Sequence, residues 1–367
     1  MNRSQQPIRV LIVEDSPTQR LALCALLEEQ GWFEVAADVT SAEEALALID
    51  DDPTRFDVIS LDMELPGIDG LTFVERIMQS RPIPIVVTSA SWHDKNPEKA
   101  FAALQAGAIA CVEKPACGEP RLVEDWLRAL RVAAGVPVVR RYSTAVPPPR
   151  TTKRATHALG GSLCLIAIGA SLGGPQAVVH LLKELPRPLP VPVLLAQHLA
   201  PGFVDGFARW LEETTGLRVI VVDRDQPAQV PPGAVAIPAG SLDLVLTRCD
   251  DTSVEVSARP SQRVASPVID VLWRSLLEQS CPGVVVLLTG TGTDGSETLE
   301  ALDRRGATIF IQDPDDAMAP SMPEAAVRKA PGAIVAPLNA LTALLSELIA
   351  AETFHRKGVA SQSVEKK

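Results

Sequence analysis

Gly169, Ser171 and Gly173 stand in GASLGG as G-x-S-x-G, after the apolar run LCLIAI and before a helical stretch beginning PQAVVHLL. Small flanking residues let a serine occupy a sharp strand-to-helix turn with its hydroxyl exposed. The following helix N-terminus offers backbone N–H groups and a positive dipole to an oxyanion. A serine hydroxyl is a weak nucleophile until a base takes its proton. Of the five histidines, His157 falls in a Pro-rich stretch, His355 lies near the end, His93 belongs to the first half and His180 sits inside the helix after Ser171. His198 follows the strand candidate VPVLLA and Gln197. A carboxylate orients such an imidazole, and VVVLLTGTGTDGS puts Asp294 in a Gly-rich loop just past another apolar run. Together the three could perform nucleophilic acyl transfer from the carboxyl-side loops of one parallel sheet, where such folds bind ligands. Each also has an ordinary reading. The serine could cradle a phosphate or cap a helix, the histidine could be structural, and the aspartate could simply make its turn.

The chain order Ser, His, Asp differs from the Ser, Asp, His of the α/β-hydrolases, so the turn motif does not bring that fold with it. A dinucleotide fingerprint is also a poor match. The middle glycine is missing and no suitable acid follows about twenty residues later.

A second group of chemical residues lies in the first half. Glu14 and Asp15 follow the apolar run Ile8 to Val13, and Asp62 follows Phe56 to Leu61. Clustered carboxylates repel one another, and an oxygen-loving divalent cation such as Mg²⁺ resolves the repulsion. Thr88 closes the Ile85–Val87 run, and Lys114 closes Ile109–Val112. A lysine reaching such a cluster can neutralise a phosphoryl group. Acids at strand ends can also cap helices, as Asp15 or Ser16 would.

Both groups need parallel strands to bring them together. In the first half, strand candidates at Ile8–Val13, Phe56–Leu61, Pro84–Ser89 and Ile109–Val112 alternate with helical stretches, the first of them Ser16 to Gln30. In the second half, Leu163–Ala170, Val191–Ala196, Val284–Thr289 and Ala307–Gln312 read as buried strands. Alternation of this kind predicts a parallel α/β sheet in each half. Hydrophobic residues make up 46% and aromatics 4%, so two aliphatic cores of the type that suits covered parallel sheets are expected. Residues 132–160 break the pattern with Pro, Thr and Arg and read as a linker. Residues 353–367 read as a polar tail.

The formal charge of −11 argues against nucleic acid as the partner, since that needs a basic footprint. No apolar run approaches 18 residues, and MNRSQQPIRV lacks the apolar core of a signal peptide. The six cysteines are scattered without a CxxC pair, which suggests structural or buried thiols in a reducing cytoplasm.

VEDS, LDMELPGIDG, TSA and EKP resemble the response-regulator receiver family over about residues 7 to 130. The resemblance implies a flavodoxin-like five-stranded sheet and Asp62 as phosphoacceptor. It also implies Glu14, Asp15 and Asp62 as Mg²⁺ ligands, Thr88 as switch hydroxyl, Lys114 as the phosphate-contacting cation, and a Lys114–Pro115 peptide that is often cis.

GASLGG, AQHL with FARWLEE, PPGAVAIPAG, SPVIDVLWRS, LLTGTGTDG and IQDPDDAMAPSMPEAAV together resemble the catalytic domain of the chemotaxis protein-glutamate methylesterases, over roughly residues 161 to 350. That implies Ser171 as nucleophile, His198 as general base and then acid, and Asp294 as its orienter. It implies a phosphorylation-regulated serine esterase acting on glutamate methyl esters of chemoreceptors, with glutamine deamidation as a second activity and no cofactor for the ester step. The implied fold is a receiver at 1–131, then a second doubly wound, mostly parallel α/β catalytic domain at 161–352. The implied partners are chemoreceptors and a chemotaxis-type histidine kinase, in the cytoplasm, with no nucleic acid and no membrane insertion. Thr291 stands where the family usually has Met, Ser321-Met322-Pro323 where it has G-M-P, and Leu242 and Asp243 where a histidine is common. A signalling adaptor that binds a methylated partner without fast turnover is the alternative. A DNA-binding regulator would need a basic recognition helix.

Overall fold

Short runs of fully buried aliphatic residues, bounded by capped helices, account for most of the architecture in a computed structural model of the chain. The structure describes residues 6–89, 97–116, 118–136, 163–250, 253–263, 266–281 and 283–364. The chain divides into two units, Met1–Tyr142 and Ser143–Lys367. Most of the stretch expected as a linker lies outside the described residues.

The first unit alternates β1 (Ile8–Val13), α1 (Pro17–Glu28), β2 (Phe33–Val39), α2 (Ala42–Asp51), β3 (Val58–Asp62), α3 (Gly70–Ser80), β4 (Ile85–Ser89), α4 (Pro97–Ala106), β5 (Ala110–Glu113) and α5 (Pro120–Ala134). Every residue of β3 and β4 is buried, as expected where helices cover both faces of a parallel sheet. The strand order is β2-β1-β3-β4-β5, all pairs parallel, which is the flavodoxin-like doubly wound order. Ser16, Ser41 and Asp69 cap α1, α2 and α3 through their side chains, satisfying N–H groups that helix geometry leaves open. The Ser16 cap leaves Asp15 free for other work.

The second unit runs β6 (Leu165–Ala170), α6 (Gly174–Glu184), β7 (Val193–Gln197), α7 (Val204–Thr215), β8 (Arg218–Val222), β9 (Ala228–Gln229), β10 (Ala234–Pro238), β11 (Leu242–Cys249), β12 (Val254–Pro260), α8 (Ile269–Gln279), β13 (Gly283–Leu287), α9 (Ser296–Arg304), β14 (Thr308–Gln312), α10 (Ser321–Lys329), β15 (Ile334–Ala336) and α11 (Leu338–Val364). Seven strands form one sheet in the order β15-β14-β13-β6-β7-β10-β8, and every recorded pairing in it is parallel. From β6 the chain winds first toward β7, β8 and β10, and later returns to β13, β14 and β15 on the other side. The winding therefore reverses at β6, and a crevice opens at the carboxyl ends of β7, β6 and β13.

A small antiparallel sheet, β11-β12-β9, was not foreseen. In β12 buried residues alternate with partly buried ones, and in β11 the pattern is looser, as expected where one face is covered and the other is wetter. Three further features differ from expectation. Lys114–Pro115 is trans, since the cis bonds among the described residues are Arg187–Pro188 and Ser266–Pro267. Cys249 and Cys281 form a disulfide, with Cα atoms 5.8 Å apart, so two of the six expected thiols are paired; α8 packs on β11 and closes the gap of 32 residues between them. Finally, α11 continues to Val364, through most of the expected tail. Among the described residues no helix is long and apolar enough to cross a membrane.

Candidate active site

Ser171 is the first residue beyond β6 and is held from both neighbouring strands. Its N–H donates to the Thr289 carbonyl past β13 (3.0 Å). Its own carbonyl accepts from Gln197 Nε2 at the end of β7 (2.8 Å) and from Gly174 N–H (2.8 Å). Gly173 has φ +76°, the left-handed conformation that glycine adopts without steric cost, and this lets the chain turn sharply into α6. His198 follows β7, and its N–H donates to the Ala170 carbonyl (2.9 Å). The two backbones that carry the serine and the imidazole are therefore bonded to each other.

The side chains form a continuous chain. His198 Nδ1 lies 3.1 Å from Ser171 Oγ, and His198 Nε2 lies 2.8 Å from Asp294 Oδ2. A carboxylate only accepts, so Nε2 carries the proton and Nδ1 is left as an acceptor for the serine hydroxyl. Asp294 lies in the loop between β13 and α9. Its carboxylate also accepts from the N–H groups of Ile269 (2.7 Å), Asp270 (3.2 Å) and Gly295 (3.0 Å). Burial pushes the Asp294 carboxyl up, but hydrogen bonding and charge from His198 and the N–H groups of Ile269 and Asp270 outweigh it and hold the group below the usual range. Those two N–H groups open α8, so the helix dipole favours the same negative charge.

In the first unit, Asp62 is the last residue of β3. Lys114 Nζ lies 2.8 Å from Asp62 Oδ2 and 2.9 Å from Glu14 Oε2. Carboxylate oxygens of Glu14, Asp15 and Asp62 all lie within 4.8 Å of one another. One ammonium against three carboxylates leaves the cluster net negative. A small set of hard oxygen donors of this kind fits Mg²⁺. Burial pushes the Glu14 carboxyl up, aided by the Asp62 charge and opposed by Lys114. Burial lowers the Lys114 ammonium, but its bonds and attraction to Asp62 and Glu14 win and hold it above its ordinary value. Thr88, buried on β4, donates its hydroxyl to the Leu61 carbonyl (3.2 Å).

The model of the CheB methylesterase family matches residues 166–345, and that of the response regulator receiver domain matches residues 10–125. The chain belongs to the CheB methylesterase family. A protein-glutamate methylesterase/protein-glutamine glutaminase of Methanospirillum hungatei is 32% identical over 329 residues, covering 87% of this chain and 92% of that protein. Another, of Myxococcus xanthus, is 36% identical, covering 88% of each. The catalytic domain of Thermotoga maritima CheB aligns over 51% of this chain and 100% of its own, at 26% identity and a TM-score of 0.46. A receiver ahead of a CheB methylesterase domain makes this chain a phosphorylation-regulated methylesterase of chemotaxis.

Within this CheB-type domain the three departures from the family pattern have distinct surroundings. Ser321 opens α10, and its Oγ accepts from Gly292 N–H (3.1 Å), tying the Gly-rich loop to the helix. Thr291 is half-buried in that loop. Asp243 is buried at the start of β11 and accepts from Val268 N–H (2.7 Å), so it holds the approach to α8 rather than the Ser171–His198 pair. Two supporting residues were missed in the sequence. Gln197 bridges the Ser171 and His198 carbonyls (2.8 and 3.0 Å), and its place immediately before His198 was the available signal. Thr289 Oγ1 donates to the Leu172 carbonyl (2.9 Å) and accepts from Ala319 N–H (2.8 Å), so it ties the Ser171 turn to the loop before α10.

Proposed function

We propose that Ser171, His198 and Asp294 hydrolyse γ-glutamyl methyl esters on chemoreceptor helices, giving glutamate and methanol. The observation that carries the reading is the unbroken chain from Ser171 Oγ through the imidazole to Asp294, at the point where the winding of the sheet reverses. Ser171 Oγ attacks the ester carbonyl as its proton passes to His198 Nδ1, and the imidazolium is stabilised by Asp294. The oxyanion develops beside the N-terminus of α6, where free backbone N–H groups and the helix dipole favour negative charge. Collapse expels methoxide, which takes the proton back from His198 and leaves as methanol. Water, deprotonated by the same nitrogen, then cleaves the glutamyl ester of Ser171 and regenerates the hydroxyl. A glutamine side chain entering the same route loses ammonia in place of methanol, which makes deamidation a second activity of one site.

Asp62 is the phosphoacceptor in this proposal, and a chemotaxis-type histidine kinase is the donor. Glu14, Asp15 and Asp62 would hold Mg²⁺, which supplies positive charge to the transferred phosphoryl group. Lys114 shares that role from the protein side, and Thr88 exchanges its bond to Leu61 for one to the new phosphoryl oxygens. The place of work is the cytoplasm, and no nucleic acid is involved. Ser171→Ala tests the enzyme against the alternative of a binding adaptor. Methanol release from methylated receptor should vanish while the variant still folds, and turnover persisting at a substantial fraction of wild type takes the nucleophile role from Ser171.

A further inference from the structure

Asp270 is a second buried acid beside the orienting one, and neither the ester chemistry nor the receiver uses it. It sits in the first turn of α8, and SPVIDVLW gave no hint of a polar duty. Its Oδ1 accepts from Thr298 N–H (2.8 Å) and its Oδ2 from Gly295 N–H (3.0 Å). Both donors belong to the start of α9. Asp294, just ahead of α9, accepts from the first N–H groups of α8. The two helices thus exchange carboxylates: α8 sends Asp270 to cap α9, and the α9 side sends Asp294 to cap α8. Two oxygens that both accept from backbone N–H groups are the pattern of an ionised carboxylate. Burial pushes Asp270 up, and the nearby Asp294 charge adds to that, opposed by the bonds from Thr298 and Gly295. A second buried negative charge beside Asp294 costs stability, which the bonds from Thr298 and Gly295 offset.

We propose that Asp270 is a positioning residue of the esterase, fixing the Gly295–Thr298 turn so that Asp294 meets His198 Nε2 at hydrogen-bond distance. Gly295 is the hinge of the argument, because its N–H is shared between Asp270 Oδ2 and Asp294 Oδ1 (both 3.0 Å). A turn freed from Asp270 lets the carboxylate drift from the imidazole. The other titratable groups around this pair are His198 beyond β7 and Asp243 on β11, which holds Val268; Glu297 on α9 is exposed. The proposal rests on the triad reading above.

The test uses the full-length chain and methanol release from methylated chemoreceptor. In Asp270→Asn the amide nitrogen must face one of two N–H donors, so one bond is lost and the charge disappears. The expected result is a fall in kcat of about tenfold to a hundredfold, the scale of a small misplacement of catalytic groups, with KM within about twofold. The acid limb of kcat/KM should move to lower pH, because a negative charge that favours the imidazolium has gone. Asp270→Glu keeps the charge but displaces it by one methylene, so it should lose rate while keeping its acid limb. Added to Asp294→Asn, Asp270→Asn should cost less than about twofold, since the two act as a unit. The same loss in both backgrounds gives Asp270 a merely structural role and overturns the proposal. So does wild-type kcat in either single variant, and if Asp270→Asn fails to fold, Asp270→Glu decides alone. Wild-type kcat in Asp294→Asn by itself is a different outcome, and it sinks the triad reading instead.

Discussion

Gly290→Ala should switch off the esterase by moving one atom. A Cβ at Gly290 would lie 2.7 Å from Ser171 Cβ, with the Met322 methyl closer still. The methionine end is flexible and can swing aside. Ser171 moves only by straining the bonds that tie its backbone to Thr289 and Gln197 on opposite sides. Ordinary contact begins at 3.4 Å, so the serine must give way by 0.7 Å. Taken along the line to His198, that stretches the 3.1 Å bond to about 3.8 Å, past the limit of a hydrogen bond. A displacement of this size costs on the order of a hundredfold in kcat, while overpacking removes about 1–3 kcal/mol of stability. The assay is methanol release at saturating methylated receptor, with urea unfolding alongside. Gly216→Ala is the control. It sits at the end of α7 with φ +67° and nothing within 4 Å, so it should lose about 1 kcal/mol of stability and no activity. Wild-type kcat in a folded Gly290→Ala would refute the idea that the Ser171–His198 distance is set this rigidly.

Lys114→Met should cost the receiver about 3–5 kcal/mol in divalent-free buffer, because Glu14 and Asp62 lose the cation they share. Added Mg²⁺ should then raise its melting temperature more than it does in wild type, and no response in either protein would show that the acids do not hold the ion. Asp62→Asn should remain at basal esterase activity when a phosphodonor is supplied, whereas wild type rises; a matching rise in the variant moves the phosphorylation elsewhere. Asp294 has a folded value depressed below the roughly 3.9 of a free aspartate. Its contribution to stability is therefore present above about pH 4 and lost as pH falls through the folded value. The difference in unfolding free energy between wild type and Asp294→Asn should shrink between about pH 5 and pH 2, and a constant difference would contradict the assignment.

The central strands were legible because complete burial writes them as unbroken apolar runs; β1 was placed to the residue, and β6, β7, β13 and β14 within two or so. The edge strands β2, β8 and β15 were not. β2 is interrupted by Glu34 and Asp38, while β8 carries the apolar run Val219–Val222 but buries only Val222 fully. β10 is wholly buried, but it lies between PPG and PAG and reads as a loop. The acids, the serine and the histidine could be found because parallel sheets gather chemistry at strand ends, a rule of position that needs no contact information. Asp270 could not, since it acts by accepting from backbone groups at the start of another helix. Cys249 and Cys281 carry no spacing signal, and their pairing depends on how α8 lies against β11.

The reversal of winding at β6 also sets when the activity can first exist. Ser171 and His198 are 27 residues apart in the chain, but His198 and Asp294 are 96 apart. Between them lie β8, β10, the antiparallel sheet and α8, and only the late pairing of β13 onto β6 brings the orienting acid home. Contacts of such long separation form slowly. During synthesis the serine and histidine therefore spend their time without an acid to aim the imidazole, and a chain truncated before β13 never has one. Esterase activity is a report on the whole second unit, and a half-made copy of this chain has no means to demethylate a receptor.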